Sequence, residues 1–585
     1  MTISEEQSRP DPILLSLFAN RFMSVAEAMG RSLQQTSIST NIKERLDYSC
    51  AIFAPNGDLV ANAPHLPVHL GSMSFAVRYQ IKLLKGQLYP GDVIMANHPN
   101  AGGSHLPDIT VITPVFNDDK LVFFTASRAH HADIGGILPG SMPPTSTNIF
   151  QEGAQIKSFK IVFKGIYNKD ELFKYLVEEP SKFEGCSGSR CFRDVESDLK
   201  AQIAANNKGV GLINLLIKEY GLKTVQDYML HIRDNAELAV RNLLKQVAKK
   251  QNTSKLHALE YLDDGTPLEI TITINEQDGS AVFDFEGTGP ELIGNLNTPK
   301  SVSYSAIIYC LRAMVDDDIP LNQGCLNPIE VKIPIGCFLD PSDTAAVVGG
   351  NVESSQVITG LILKAFNACA ASQSTCNNLT FGSGGKDSNG NHVAGWGYYE
   401  TIAGGSGAGP GWNGTSGVHT HMTNTRITDP EILERRYPVL LHQFSLREGS
   451  GGAGFYTGGE GVIRELEFLE PIQCSILSER RVQRPYGLEG GQSGKVGQNL
   501  WIKKTRESDG DLNLNKPNQD RIISLGGKQT IKMGTNDRIK IITPGGGGWG
   551  NENDRSVQGH QMNDKSRVDF LRGSLQDRKN TAEGA

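Results

Sequence analysis

Residues 97–116 read NHPNAGGSHLPDITVITPVF, residues 121–133 read LVFFTASRAHHAD, and the polar tetrapeptide NDDK separates them. The runs 109–116 and 121–126 are apolar or β-branched and of strand length, and 117–120 is turn material. That pattern predicts an antiparallel hairpin. Folding back brings His105 and Asp108, just before the first strand, beside His130 and His131, just after the second. Two neutral imidazoles and one carboxylate suit a divalent metal in a site that keeps positions open for water and substrate. Six of the 13 histidines (His65, His69, His98, His105, His130, His131) crowd into this region, which lifts the case above a chance HxxD spacing. The competing reading is a structural polar cluster at a sheet end, and the residues alone do not choose between them. The register is open too. With Phe116 facing Leu121, Asp108 falls opposite Ala129 and shares a face with His131 rather than His130. Pro107 interrupts the alternation, so spacing leaves both histidines in play.

The elements that must position these residues alternate in type. Asp11 and Pro12 offer an N-cap and a first-turn proline for an amphipathic helix over 12–33. Residues 48–53 and 58–61 read as a hairpin turned by Pro55, Asn56 and Gly57, and 72–85 reads as a helix. A Pro- and Gly-rich irregular segment runs from the candidate ligands to residue 153, where substrate loops are expected. Long helices follow over 194–220 and 224–249, the second with a stripe of Val225, Tyr228, Ile232, Ala236, Ala239, Leu243 and Val247 that reads as core packing. Strict alternation over 268–285 around Asp278 and Gly279 predicts another hairpin. Residues 302–315 and 353–371 read as buried helices, and strands and glycines dominate from 449 onward. Helix and antiparallel sheet without regular βαβ alternation define an α+β chain. No repeat and no clean linker interrupts 11–550; residues 1–10 read as an extension and 551–585 as a polar, disordered tail whose removal leaves the fold intact.

Composition narrows the function. A net charge of −7 without a long basic run argues against a nucleic-acid partner. No stretch reaches the apolar length of a membrane span, and the acidic start does not resemble a signal or transit peptide. Nine scattered cysteines suggest reduced thiols in a cytoplasmic protein, and the C-x4-C of Cys186 and Cys191 is poor evidence for zinc. There is no GxxxxGK[ST] loop and no GxSxG elbow.

Three further stretches carry chemistry-capable groups. In NIKERLD (41–47), Arg45 and Asp47, taken alone, read as a surface ion pair. In GGNVESSQ (349–356), a glycine turn opens a helix whose first amides could hold a substrate carboxylate, or be capped in the ordinary way. Residues 404–411 form a glycine-rich loop, expected to be flexible, that leads to His419 and His421; placed two apart on a strand these share a face, with hydrogen bonding favoured over metal ligation.

Several of these strings occur together, in order, in one family. NIKERLD, GDVIMANHPNAGGSHLPDITV, SRAHHADIGG, IFQEGA, GGNVESSQ, GTSGVHTHMTNTRITDPE and the closing TPGGGGWG resemble the hydantoinase B/oxoprolinase family from about residue 11 to 550, as one large unit. GVGLINLLIKEYGL and PPTSTNIFQEGAQIKSFK are closer to the C-terminal half of eukaryotic-type ATP-dependent 5-oxoprolinases than to acetone or acetophenone carboxylase subunits. The resemblance implies opening of 5-oxo-L-proline to L-glutamate, coupled to ATP hydrolysis, in glutathione turnover. It also implies a metal (Mn, Zn or Fe) on His105, Asp108 and His130, and so favours His130 over His131. The alternatives are a subunit of an ATP-dependent hydantoinase or ketone carboxylase, and a non-catalytic scaffold.

The actin-like ATP site of the long oxoprolinases is not found in the sequence, so the resemblance implies either one subunit of a two-chain enzyme or a piece of a longer polypeptide. A hydantoinase A-like ATPase half would bind ATP and activate the lactam oxygen; this chain would bind the ring and complete its opening, inactive alone and oligomeric with its partner. A metal there would lower the pKa of water toward neutrality. His131, Asp133, Glu152 and Asp47 are the candidates for orienting ligands or moving protons. Arg45, Asn351, Glu353, Gln356 and His419 are the candidates for holding substrate.

Overall fold

A computed structural model describes residues 10–316, 319–505 and 520–554. Apart from Pro10 and residues 551–554, the expectations for the extension and the tail lie outside these residues. The architecture is mixed helix and antiparallel sheet, as the α+β reading expects.

Asp11 caps α1 (Pro12–Thr36), accepting from the Ile13 amide at 2.9 Å. After the single turn α2 (Thr40–Lys43), the chain enters a seven-stranded antiparallel sheet. It holds β1 (Tyr48–Phe53), β2 (Leu59–Asn62), β3 (Val93–Ala96), β4 (Asp108–Asn117), β5 (Lys120–His130), β6 (Phe159–Phe163) and β7 (Ile166–Tyr167), in the order β2-β1-β5-β4-β3-β6-β7. Helix α3 (Pro67–Leu83) covers one face, packing Met73, Ala76 and Val77 on Ala51, Phe53, Ile112, Phe124 and Ala126. Past the short α4 (Lys169–Phe173), α5 (Phe192–Tyr220) and α6 (Leu222–Gln251) join α1 on the other face, against Cys50, Ile52, Val115, Phe123 and Ala129. Both faces of the central strands are therefore buried, and alternate residues of β5 point to opposite helical layers.

The hairpin register departs from the even pairing in one place. Phe116 does face Leu121, but Val115 faces Phe123, so Val122 is an extra residue on β5. This β-bulge advances the pairing by one, and Asp108 lies opposite His130 instead of Ala129. His130 thus shares the α3 face with Asp108, and His131 turns to the α5 layer. The bulge, not Pro107, decides between them.

A second sheet, β8 (Lys255–Tyr261), β9 (Pro267–Ile274), β10 (Ala281–Asp284) and β11 (Ile329–Lys332), packs on α7 (Lys300–Met314) and α8 (Ser355–Ala365). Along α6 the fully buried stripe runs through Val240, Leu244 and Ala248, with Leu243 and Val247 only partly buried, because the helix passes from the first core to this second one. The helix predicted over 353–371 is shorter: a π-turn (Gly350–Ser354) leads into α8, and the backbone turns at Asn367 with φ 47°.

The remaining sheets share one apolar core. One contains β12 (Asn378–Lys386) and β13 (His392–Glu400) with β16 (Ile472–Leu477) and β19 (Lys528–Met533). The other, beyond α9 (Pro430–Arg436), contains β14 (Val439–Arg447), β15 (Gly461–Phe468), β17 (Gln498–Lys503), β18 (Arg521–Ser524) and β20 (Arg538–Ile542). Three glycine-rich loops beside them weave together by backbone bonds. Gly405 donates to Pro544, Gly459 to Ser406, Gly546 to Gly459 and Gly452 to Gly546. A Cβ on Gly405 would lie 1.9 Å from the Gly459 oxygen, and one on Gly546 1.9 Å from that of Ser406. Residues 404–408 are thus largely buried and bonded, not the flexible loop expected from their composition.

Candidate metal centre

Asp108 begins β4, His130 ends β5, and His105 lies in the turn just before β4. All three side chains are buried. Asp108 Oδ1 is 3.0 Å from His105 Nε2 and 3.1 Å from His130 Nδ1, and the two nitrogens are 3.2 Å apart. A central ion with bonds of about 2.1 Å would space its ligand atoms about 3.0 Å apart at right angles and about 3.4 Å apart in a tetrahedron. The triangle fits that range.

The protons argue the same way. His105 Nδ1 faces the Val348 carbonyl at 3.2 Å, so that nitrogen carries the hydrogen and Nε2 presents a lone pair. Three electron-rich atoms then converge, and they stay together only around a cation or a shared proton. Among the described residues His130 Nε2 has no partner, and it can hold that ring's hydrogen. Burial would raise the Asp108 carboxyl, but His105 and His69 beside it hold it well below the usual range. Burial would lower His105, but Asp108, joined by the Val348 carbonyl and Asp47, outweighs it and raises that imidazole; at His130 burial wins and lowers it.

The other carboxylate oxygen is pinned from three sides. Asp108 Oδ2 accepts from Ser104 Oγ at 2.7 Å, from His69 Nε2 at 3.0 Å and from Asn351 Nδ2 at 3.3 Å. Arg128, fully buried, donates to Thr110, Ser72 and the Gly102 carbonyl and supplies a positive charge near Asp108. Such partners fix ligand orientation. The roles of Ser104, Arg128 and His69 are not marked by any spacing in the sequence, although the crowding of histidines included His69.

The other sequence candidates take varied places. Glu152 accepts from the Val347 and Val348 amides and from Ser146, so it anchors the residue whose carbonyl orients His105. Burial pushes its carboxyl up to about 7. The amides of Gly349 and Gly350 go to the Asn295 carbonyl. The glycine turn expected to receive a substrate carboxylate therefore has its amides occupied, and the two just before it are held by the chain's own Glu152.

Arg45 and Asp47 do not form a surface ion pair. Arg45 is fully buried, donates to the Tyr399 carbonyl, Thr401 and Thr425, and lies 5.0 Å from the Tyr399 ring centre. The carbonyl of Asp47 receives the His130 amide, and its carboxylate raises His130 and His105 through space. Tyr399 stacks on His130 with ring centres 4.3 Å apart. His131 points away, to Gln202 on α5 at 2.9 Å. Both oxygens of Asp133 are engaged, by Gly135, Gly140 and Arg190, in the adjoining loop. Glu353 accepts from Asn378, Cys376 and Glu479. Burial lowers His419 to about 3. His419 and His421 do not share a strand face, because His421 sits in a left-handed turn at φ 54° and meets Tyr309.

With this geometry in view, comparison with known proteins is direct. The chain belongs to the hydantoinase B/oxoprolinase family, which it matches over residues 11–552. It is 55% identical over 553 residues to 5-oxoprolinase 1 of Arabidopsis thaliana, covering 92% of this chain and 42% of that protein. It is 53% identical over 553 residues to 5-oxoprolinase of Saccharomyces cerevisiae, covering 93% and 42%. The chain thus spans about two fifths of the length of these relatives. The ATP-dependent caprolactamase from Pseudomonas jessenii shares the fold, with a TM-score of 0.78 at 24% identity over 93% of this chain and 91% of that one.

Proposed function

We propose that this chain is the hydantoinase B-type half of an ATP-dependent 5-oxoprolinase, opening 5-oxo-L-proline to L-glutamate with an actin-like, hydantoinase A-type ATPase half. The observation that carries the reading is the buried triangle of His105, Asp108 and His130 in a chain this close to proteins named 5-oxoprolinase. These residues would hold a divalent ion: Mn, Zn or Fe. Bound there, it would supply Lewis acidity toward a substrate oxygen or a water.

The remaining roles fall to the chain itself. His69, Ser104 and Asn351 hold Asp108 Oδ2 so that Oδ1 faces inward. Glu152 positions His105 through Val348. Asp47, whose charge reaches both histidines, is the carboxylate assigned to moving a proton, and His131 and Asp133 support the loop that leaves β5. Arg45, Asn351, Glu353, Gln356 and His419 shape the substrate site, Arg45 and Glu353 through its walls. ATP would bind the partner half, and the partner would form an oligomer with this chain. All nine cysteines are unpaired, which supports a cytoplasmic setting.

The test is reconstitution. Mixed with the ATPase half, the chain should release glutamate and hydrolyse ATP in step, and alone it should do neither. Turnover of a hydantoin or a ketone, but not of 5-oxoproline, would move the assignment to those relatives. Full turnover by His105→Ala without bound metal would leave the chain a scaffold.

A further inference from the structure

We propose that the side-chain carbonyls of Asn351 and Gln356 accept the ring N–H of a cyclic amide, and so select lactams over lactones of the same ring. The inference rests on the lactam-opening reading above and adds the substrate group that is recognised.

Both carboxamides are buried, Asn351 at 4% exposure and Gln356 at 0%. Each is oriented by an acceptor. Asn351 Nδ2 donates to Asp108 Oδ2 at 3.3 Å, and Gln356 Nε2 donates to the Thr420 carbonyl at 3.0 Å. An amide end that faces a carboxylate or a carbonyl must be its NH2 end, so neither group can be flipped without loss. What each offers in the other direction is an oxygen, and among the described residues neither Asn351 Oδ1 nor Gln356 Oε1 has a partner. A buried acceptor left without a partner is costly and calls for a bound donor.

The two groups belong to one place. The π-turn (Gly350–Ser354) carries Asn351 and leads directly into α8, which begins at Ser355 and carries Gln356 on its first turn. Such π-turns recur at functional sites. Asn351 touches Asp108 directly. Gln356 also reaches Cys376 Sγ at 3.4 Å, and Cys376 lies in one buried cluster with Tyr399, Val348 and Val352. Tyr399 stacks on His130, and the Val348 carbonyl orients His105. Asn351 therefore adjoins the triangle, and Gln356 adjoins the cluster that carries Tyr399 and Val348 against its two histidines. Thr420 Oγ1, also buried and without a partner among the described residues, adds a hydroxyl of either polarity.

Two oriented acceptors discriminate by donor count. A lactam nitrogen brings a hydrogen to them; a lactone ring oxygen brings lone pairs, leaving both acceptors unsatisfied and opposed. The experiment is calorimetric titration of the metal-loaded chain, alone and with the ATPase half. The probes are 5-oxo-L-proline, its N-methyl derivative and the lactone in which oxygen replaces the ring N–H. The unsubstituted lactam should bind roughly ten- to a hundredfold tighter than either analogue. In Gln356→Leu the preference should shrink severalfold while metal content stays the same. Equal binding of lactam and lactone by the wild type would overturn the inference and leave the lactam-opening reading standing. An undiminished preference in a folded, metal-loaded Gln356→Leu would overturn it too. Should that variant fail to fold, the wild-type comparison with the two analogues decides alone. Binding of none of the three rings by a metal-loaded chain would remove the lactam reading, and this inference with it.

Discussion

The histidine centre and the glycine weave are both buried, and neither is built from apolar packing. They reach order by opposite means. Around Asp108, side chains do the bonding, and every distance depends on which residue stands where. Around Gly405 and Gly546, the absence of side chains does it, and amides and carbonyls from three distant loops close on one another. The contrast separates two kinds of motif: one encodes chemistry, the other encodes room.

Breaking each region should give a different signature. The largest effect is expected at the centre. His105→Ala or Asp108→Asn should lose bound metal and lower reconstituted turnover by more than about a hundredfold, whereas His131→Ala, directed at Gln202, should keep its metal. Elemental analysis beside turnover checks this; equal metal content in His105→Ala and wild type would remove these ligands.

The weave should fail in stability instead. Gly405→Ala or Gly546→Ala places a methyl 1.9 Å from a carbonyl oxygen. The expected loss in denaturant titration is about 3 kcal/mol or more. A loss under about 1 kcal/mol would mean that the loops separate easily.

A pH series sharpens the comparison. Burial holds His65 and His419 at about 3 and His98 and His421 at about 4. Each is neutral when folded and gains a proton near 6.5 when unfolded. Their contribution is therefore present above pH 6.5 and is lost as pH falls toward 4, by up to about 1.4 kcal/mol per pH unit for each. Denaturant midpoints should fall between pH 7 and 5, offset in part by Glu152, whose raised carboxyl takes up a proton in the folded state over the same range. The fall should be smaller in His421→Phe, while the cost of Gly405→Ala should be the same at both ends. A fall no smaller in His421→Phe than in the wild type would show that this imidazole is not held neutral by the fold.

The smallest effect is the control. Gly211, inside α5, has nothing within 4 Å of the point where an alanine methyl would stand. Gly211→Ala should stabilise by up to about 1 kcal/mol, because alanine suits a helix interior. A loss there would mean that glycine substitutions cost stability whatever their surroundings.

Local pattern is what the sequence shows most clearly. Asp11 and Pro12 mark the start of α1, alternation marks β9 and β10, and the hairpin carries the three ligand residues together. The choice between His130 and His131 is not readable from spacing, because it turns on the single extra residue Val122, whose apolar type is ordinary for a strand. Arg45 reads as a surface residue for a related reason: its partners Tyr399, Thr401 and Thr425 come from a distant part of the chain. The amides around the glycine turn look free until Asn295 and Glu152 arrive from other segments. Local text names the groups; long-range packing decides which ones remain available.

The glycine weave also sets a schedule. Gly405 and Gly459 find their partners in Pro544 and Gly546, which a ribosome delivers only after the intervening strands have been made. At about 5–20 residues per second, the Gly405 amide and the Gly459 carbonyl wait for seconds before these partners are made. During that interval the nascent chain already contains every residue of the histidine centre. Synthesis thus supplies the chemistry first and the clasp beside its later sheets afterwards.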